Sequence, residues 1–127
     1  MQRMTDTSIS TVSPIVDAYL AAWNEGDAER RRALVADAFA DDATYLDPLM
    51  SSDGHDGIDA MIARAQEQYP GTRFVLAEGP DAHHDRVRFT WQLEPAGGGA
   101  AIAVGIDFAT LADDGRLRDV TGFLAAP

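Results

Sequence analysis

Apart from a short stretch at Ala43–Asp47, the apolar residues of this chain change period at Pro70-Gly71. Before it they recur at helical spacing; after it they alternate, as side chains do along a strand. Ile15, Val16, Tyr19, Leu20 and Trp23 make one helical stripe, Leu34, Val35, Ala38 and Phe39 a second, and Ile58, Met61, Ile62 and Ala65 a third. Arg73–Glu78, Arg86–Leu93, Ala101–Leu111 and Leu117–Leu124 read as strands, separated by turn signals at Gly79-Pro80-Asp81, Gly97-Gly98-Gly99 and Asp113-Asp114-Gly115. Helices first and a meander of long strands afterwards predict an α+β domain with three helices on one face of a curved antiparallel sheet. A cone enclosing a pocket is the expected shape.

Residues 1–12 are polar and without apolar period, so they read as a flexible tail ahead of a single domain over 13–127. Ser13-Pro14 offers an N-cap followed by proline at the first helical position, and Asn24-Glu25-Gly26 supplies the stop. Asp27 is placed to cap the second helix. Ala43–Asp47 predicts a short strand that Pro48 ends, because proline lacks the N–H that a sheet ladder needs. A polar loop over Leu49–Asp56 and a helix over Gly57–Tyr69 follow.

Composition removes several functions. There is no cysteine, which excludes disulfides, thiolate metal sites and a cysteine nucleophile. There is no lysine either, and 21 acidic residues against 10 basic give a net charge of −11. Phosphate backbones and anionic membranes call for clustered cations, so neither nucleic acid nor membrane is expected as a partner. No apolar run reaches transmembrane length and Met1–Thr11 lacks a leader-like apolar stretch, which leaves the cytoplasm as the expected location.

Three polar residues stand where burial is costly without a partner. Tyr19 lies on the apolar stripe of the first helix, Asp47 at a strand end before proline, and Asp107 in the middle of the apolar strand Gly105-Ile106-Asp107-Phe108. Strand parity puts Val87, Phe89, Trp91 and Leu93 on one face, and Ala103, Gly105, Asp107 and Ala109 on one face of the next strand. Taken singly, Tyr19 also reads as a core tyrosine, Asp47 as a turn former and Asp107 as an aspartate on a wet sheet face. His83-His84 should point to opposite faces of a strand and so cannot easily chelate one ion, and no metal site is expected. His55 reads as an exposed loop histidine, Arg30-Arg31-Arg32 as a solvated helix face, and Gly97-Gly98-Gly99 as a flexible turn.

The segments Tyr19–Asp27, Phe39–Pro48 and Gly105–Phe108, with Asp114-Gly115-Arg116 after the last, resemble the nuclear-transport-factor-2-like superfamily, in particular its SnoaL-like polyketide cyclase and ketosteroid isomerase branches. The resemblance implies a cone-shaped fold and a cofactor-independent site for proton transfer next to a carbonyl. It places Tyr19 at an oxyanion-hole tyrosine, Asp47 at a general base and Asp107 at a protonated oxyanion-hole acid. Ketosteroid isomerase is itself the standard example of a carboxylic acid held neutral at pH 7 to donate a hydrogen bond. Tyr45, Val87, Phe89, Trp91 and Met61 are the expected contacts of a hydrophobic small-molecule substrate, and a homodimer is the expected assembly. Two other readings stand beside it. One is a non-catalytic ligand-binding or dimerisation module; the other is an epoxide hydrolase, against which stand the parity of Arg86 and Arg88 and the glycine at position 105.

Overall fold

Proline at position 14 does not open the first helix. The computed structural model describes residues 9–125, with side chains from residue 12, and α1 runs Ile9–Asn24 with Pro14 inside it. Proline forfeits a single backbone hydrogen bond this near a helix start, and the extra turn buries Val12 in the core. The flexible tail expected over 1–12 is therefore helical from residue 9; residues 1–8 lie outside the described part. Asn24 ends α1 as expected, and its side-chain amide pairs with the backbone N–H and C=O of Phe74 at 2.7 and 2.8 Å, fastening the helix end to a strand.

Asp27 caps α2 (Ala28–Ala38), accepting the Arg30 N–H at 2.9 Å. Phe39, read as the end of that helix, instead begins β1 (Phe39–Leu46), and part of the expected loop forms β2 (Ser51–Asp53). Then come α3 (Gly54–Gln68), β3 (Thr72–His83), β4 (Arg86–Pro95), β5 (Ala103–Leu111) and β6 (Leu117–Ala125). Gly79-Pro80-Asp81 is not a turn: β3 passes through it with two register shifts against β4. Local glycine and proline chemistry serves a bulge as well as a turn.

The six strands form one open, curved sheet in the order β2-β1-β6-β5-β4-β3. The expected all-antiparallel sheet is mixed, because β1 runs parallel to β6. No short connection joins that pair, so hairpin logic does not set its direction. The three helices cover one sheet face, and the core between them holds Val16, Val35, Phe39, Ile58, Met61, Ile62, Val87, Phe89, Leu117 and Val120.

The basic run divides. Arg30 and Arg32 are exposed, whereas Arg31 is buried, its Nε donating to the buried Asp59 at 2.7 Å. Its guanidinium also donates to Gln66 Oε1 and to the Glu25 carbonyl, and Gln66 in turn donates to the carbonyls of Trp23 and Glu25. This network ties the end of α1 to α2 and α3. The solvated-face reading fails for Arg31 because the packing of α2 against α3 encloses that side chain.

Candidate functional site

A cavity of about 100 Å³ opens between the sheet and the helices. Tyr19, Leu20 and Trp23 of α1 line one side, Trp91 of β4 and Asp107 of β5 another, and Tyr45 and Asp47 the β1 end. Leu49, Met50, Tyr69 and Leu124 line it as well. Three of these, Leu49, Tyr69 and Leu124, are themselves exposed to solvent and mark its mouth. The structure thus brings Tyr19, Asp47, Asp107, Tyr45 and Trp91 to one cavity.

It does not bring Val87, Phe89 and Met61 there. These are core residues, 2%, 2% and 0% exposed, and none lines the cavity. Strand parity assigned Val87 and Phe89 to the correct face, but that face is packed solid by the helices along half its length. Phe89 stacks edge-on against the Tyr19 ring, with centroids 5.4 Å apart, and so supports the site from beneath. Trp23, expected in the core as part of the first helical stripe, is a cavity wall together with Phe74; burial by side chains and burial beside a cavity leave the same apolar signature in sequence.

Tyr19 and Asp107 form the buried polar pair. The Tyr19 hydroxyl donates to Asp107 Oδ2 at 2.6 Å, and the two side chains are 2% and 1% exposed. Burial pushes the Asp107 carboxyl up to about 6, and the charge of Asp47 adds to the rise, while Tyr19 and the Trp91 indole N–H oppose it. The same burial, with the carboxyl beside it, raises the Tyr19 hydroxyl well above the ordinary phenol value. Asp107 Oδ1 is buried and has no hydrogen-bond partner. It is a polar atom left for a ligand to satisfy.

Asp47 is held on both oxygens. Its Oδ1 accepts the backbone N–H groups of Leu49 and Met50 at 2.8 and 2.9 Å, and its Oδ2 accepts the Tyr45 hydroxyl at 2.6 Å. The turn-forming reading is realised on Oδ1, while Oδ2 pairs with a side chain of the cavity wall. Tyr45 is buried and its hydroxyl is displaced upward by desolvation first and by nearby carboxylates after that. Tyr45 and Asp47 are two residues apart, which on an extended segment puts both side chains on one face.

A missing side chain makes the convergence possible. Asp107 pairs across the sheet with Gly122, and a Cβ at 122 would lie 2.8 Å from Asp107 Oδ1 and 3.2 Å from Asp47 Cβ. Residue 122 must be glycine for the two carboxyl groups to approach the same point. Elsewhere, His55 sits in the first turn of α3 with Nε2 2.8 Å from the Phe39 carbonyl oxygen, away from the cavity. His83 and His84 share an exposed hairpin with their Nδ1 atoms 3.1 Å apart, contrary to the opposite-face expectation, because His84 turns into the left-handed region at φ 50°. Among the described residues no three His, Asp or Glu side chains converge as a metal site.

Three helices on an open curved sheet, with an apolar cavity carrying a tyrosine-acid pair, define an α+β protein of the nuclear-transport-factor-2-like fold. The chain belongs to the SnoaL-like domain family, whose model matches residues 16–120. It is similar to a SnoaL-like family protein from Agrobacterium tumefaciens str. C58 whose name proposes an isomerase, with 46% identity, 92% of this chain and 99% of that one covered, and a TM-score of 0.87. A Jannaschia sp. CCS1 protein whose name proposes a SnoaL-like polyketide cyclase shares the fold at 18% identity, with 98% and 91% covered and a TM-score of 0.67. So does a protein of ketosteroid isomerase-like fold from Catenulispora acidiphila DSM 44928, solved with trimethylamine, at 18% identity, 87% and 85% covered and a TM-score of 0.69. No curated protein matches the chain significantly.

Proposed function

We propose that the cavity catalyses cofactor-independent proton transfer next to the carbonyl of a small hydrophobic ketone, as a double-bond isomerisation or an aldol-type ring closure. The observation that carries this reading is the buried Tyr19–Asp107 pair, 2.6 Å apart, in the same cavity as the Asp47 carboxylate. Asp47 takes the proton from the carbon beside the carbonyl and, in an isomerisation, returns it further along the conjugated system. Negative charge then collects on the carbonyl oxygen. The Tyr19 hydroxyl and the protonated Asp107 carboxyl donate to that oxygen, where one preorganised donor is commonly worth roughly 3 kcal/mol. Tyr45 holds Asp47 Oδ2 toward the cavity throughout. The 46% identity to a protein whose name proposes an isomerase supports the reading.

A β,γ-unsaturated ketone tests it. Asp47→Asn should lower turnover by about two to four powers of ten, the usual contribution of a general base. Tyr19→Phe should cost roughly two to three powers of ten. A folded Asp47→Asn protein that turns over at the wild-type rate would remove Asp47 from the mechanism, whereas a wild-type protein that turns over no ketone would favour a non-catalytic binding module. We propose also that the chain works as a homodimer joined through the outer face of its sheet, on which Leu46, Phe108 and Phe123 are exposed.

A further inference from the structure

We infer that Trp91 limits the ligand of this cavity to a single ring, so that a fused-ring ketone is excluded; the inference rests on the proton-transfer reading for the class of ligand. Trp91 and Gly105 face each other directly across β4 and β5. A Cβ on residue 105 would lie 2.1, 2.4 and 2.8 Å from the Cζ2, Cε2 and Cη2 atoms of the indole. The ring therefore occupies the place of the side chain that Gly105 lacks. Any other residue at 105 would push it away.

The indole is also held from its other side. Phe74 packs edge-on against it with centroids 5.1 Å apart, Trp23 lies 5.3 Å from Phe74, and Tyr45 lies 5.6 Å from Trp23. These contacts make a continuous aromatic wall from β1 across α1 and β3 to β4. A rotamer change at Trp91 would break the contact with Phe74 and leave Gly105 uncovered, so the wall is a fixed boundary and not a swinging lid.

The space within it is small. The cavity measures about 100 Å³. An apolar cavity of about 150 Å³ is known to accept benzene. The interior is smaller than that, so a ligand whose oxygen reaches Tyr19 and Asp107 has room inside for at most one ring or its acyclic equivalent, and further atoms must leave through the mouth at Leu49 and Tyr69. A second ring fused on the Trp91 side would meet the indole.

Phenol and 2-naphthol are the probes, because a phenol oxygen on a flat ring imitates the oxygen of an enolate and its binding needs no turnover. Calorimetric titration of wild type should show phenol bound at least about tenfold more tightly than 2-naphthol, the order of effect expected when extra carbon is forced into packed space. The reverse order follows from hydrophobicity alone. Trp91→Ala should invert the preference, and Trp91→Phe, which keeps an aromatic ring against Phe74, should move the ratio partway. If Trp91→Ala does not fold, Trp91→Phe carries the test. Wild type that binds 2-naphthol as well as phenol, wild type that binds neither, or a ratio unchanged in the folded Trp91 variant overturns the inference. A protein that sorts the two phenols as stated but turns over no ketone keeps the size limit and sinks the proton-transfer reading instead.

Discussion

Asp107 is where chemistry and stability meet in one side chain. Its carboxyl stands at about 6 in the folded protein, chiefly through burial, whereas in an unfolded chain it titrates near 3.9. Between those values the folded state binds more protons than the unfolded one. The contribution of Asp107 to stability is therefore full below about pH 3.9 and is lost as pH rises through about 6, leaving a cost on the order of 3 kcal/mol at neutral pH. Asp107→Asn removes the ionisation and should raise the melting temperature at pH 7 to 8, with the advantage gone near pH 4. Melting curves across that range decide the point, and a variant less stable than wild type at pH 8 would mean a well-paired structural carboxylate. The same titration predicts that kcat/KM for a ketone falls as pH rises through about 6, since only the protonated acid donates to the enolate oxygen. A flat profile from pH 5 to 8 would take Asp107 out of the oxyanion site. The residue types were legible in sequence because an aspartate inside an apolar strand is conspicuous. Its partner, 88 positions away, was placed beside it only by the family resemblance, since local pattern alone left Tyr19 a core tyrosine; the fold brings the hydroxyl within 2.6 Å.

Elements with their own amphipathic period were readable, since the period is a local property of the chain. That is why three helical stripes and four long strands matched the structure to within a few residues, apart from β3, which runs on through Gly79-Pro80-Asp81. Features set by distant segments were not: the parallel seat of β1 beside β6, the half of the inner face that is packed and not hollow, and the burial of Arg31. This last point has a measurable consequence, because Arg31 and Asp59 hold α2 against α3 from the interior at 2.7 Å. Taking away one member of a buried ion pair strands the other, and the cost is commonly about 3 to 5 kcal/mol. Arg31→Met should therefore destabilise by about that amount in denaturant titrations. Arg31→Met combined with Asp59→Leu should recover most of the loss, because no uncompensated charge remains. Loss in the double variant as large as in the single would show that the guanidinium acts through Gln66 and the Glu25 carbonyl instead, the contacts that anchor the α1 end next to Trp23.

At the scale of the whole molecule the two faces of the sheet do opposite things. The inner face carries the cavity, and the outer face carries cross-strand rows in which Arg88, Phe108, Thr121 and Leu46 lie side by side, next to a row of Thr90, Ile106 and Phe123. Phe108 and Phe123 are 46% and 53% exposed and pack edge-on at 6.2 Å, leaving their outer surface to solvent. A contiguous exposed apolar patch of this kind marks an interaction surface more often than chance. Two copies of a chain with a net charge of −11 repel each other, so an association through this face must draw on apolar burial, and salt that screens the repulsion should strengthen it. Sedimentation or light scattering should accordingly find twice the 13.6 kDa chain mass for wild type, with the dimer fraction rising between low and physiological ionic strength. Phe123→Asp places a carboxylate at the centre of the patch and should return the protein to a monomer. Its side chain points away from the cavity, so the melting temperature and phenol binding should stay close to wild type in that variant. A wild-type protein that remains monomeric at tens of micromolar and high salt would rule the outer face out as a self-association surface.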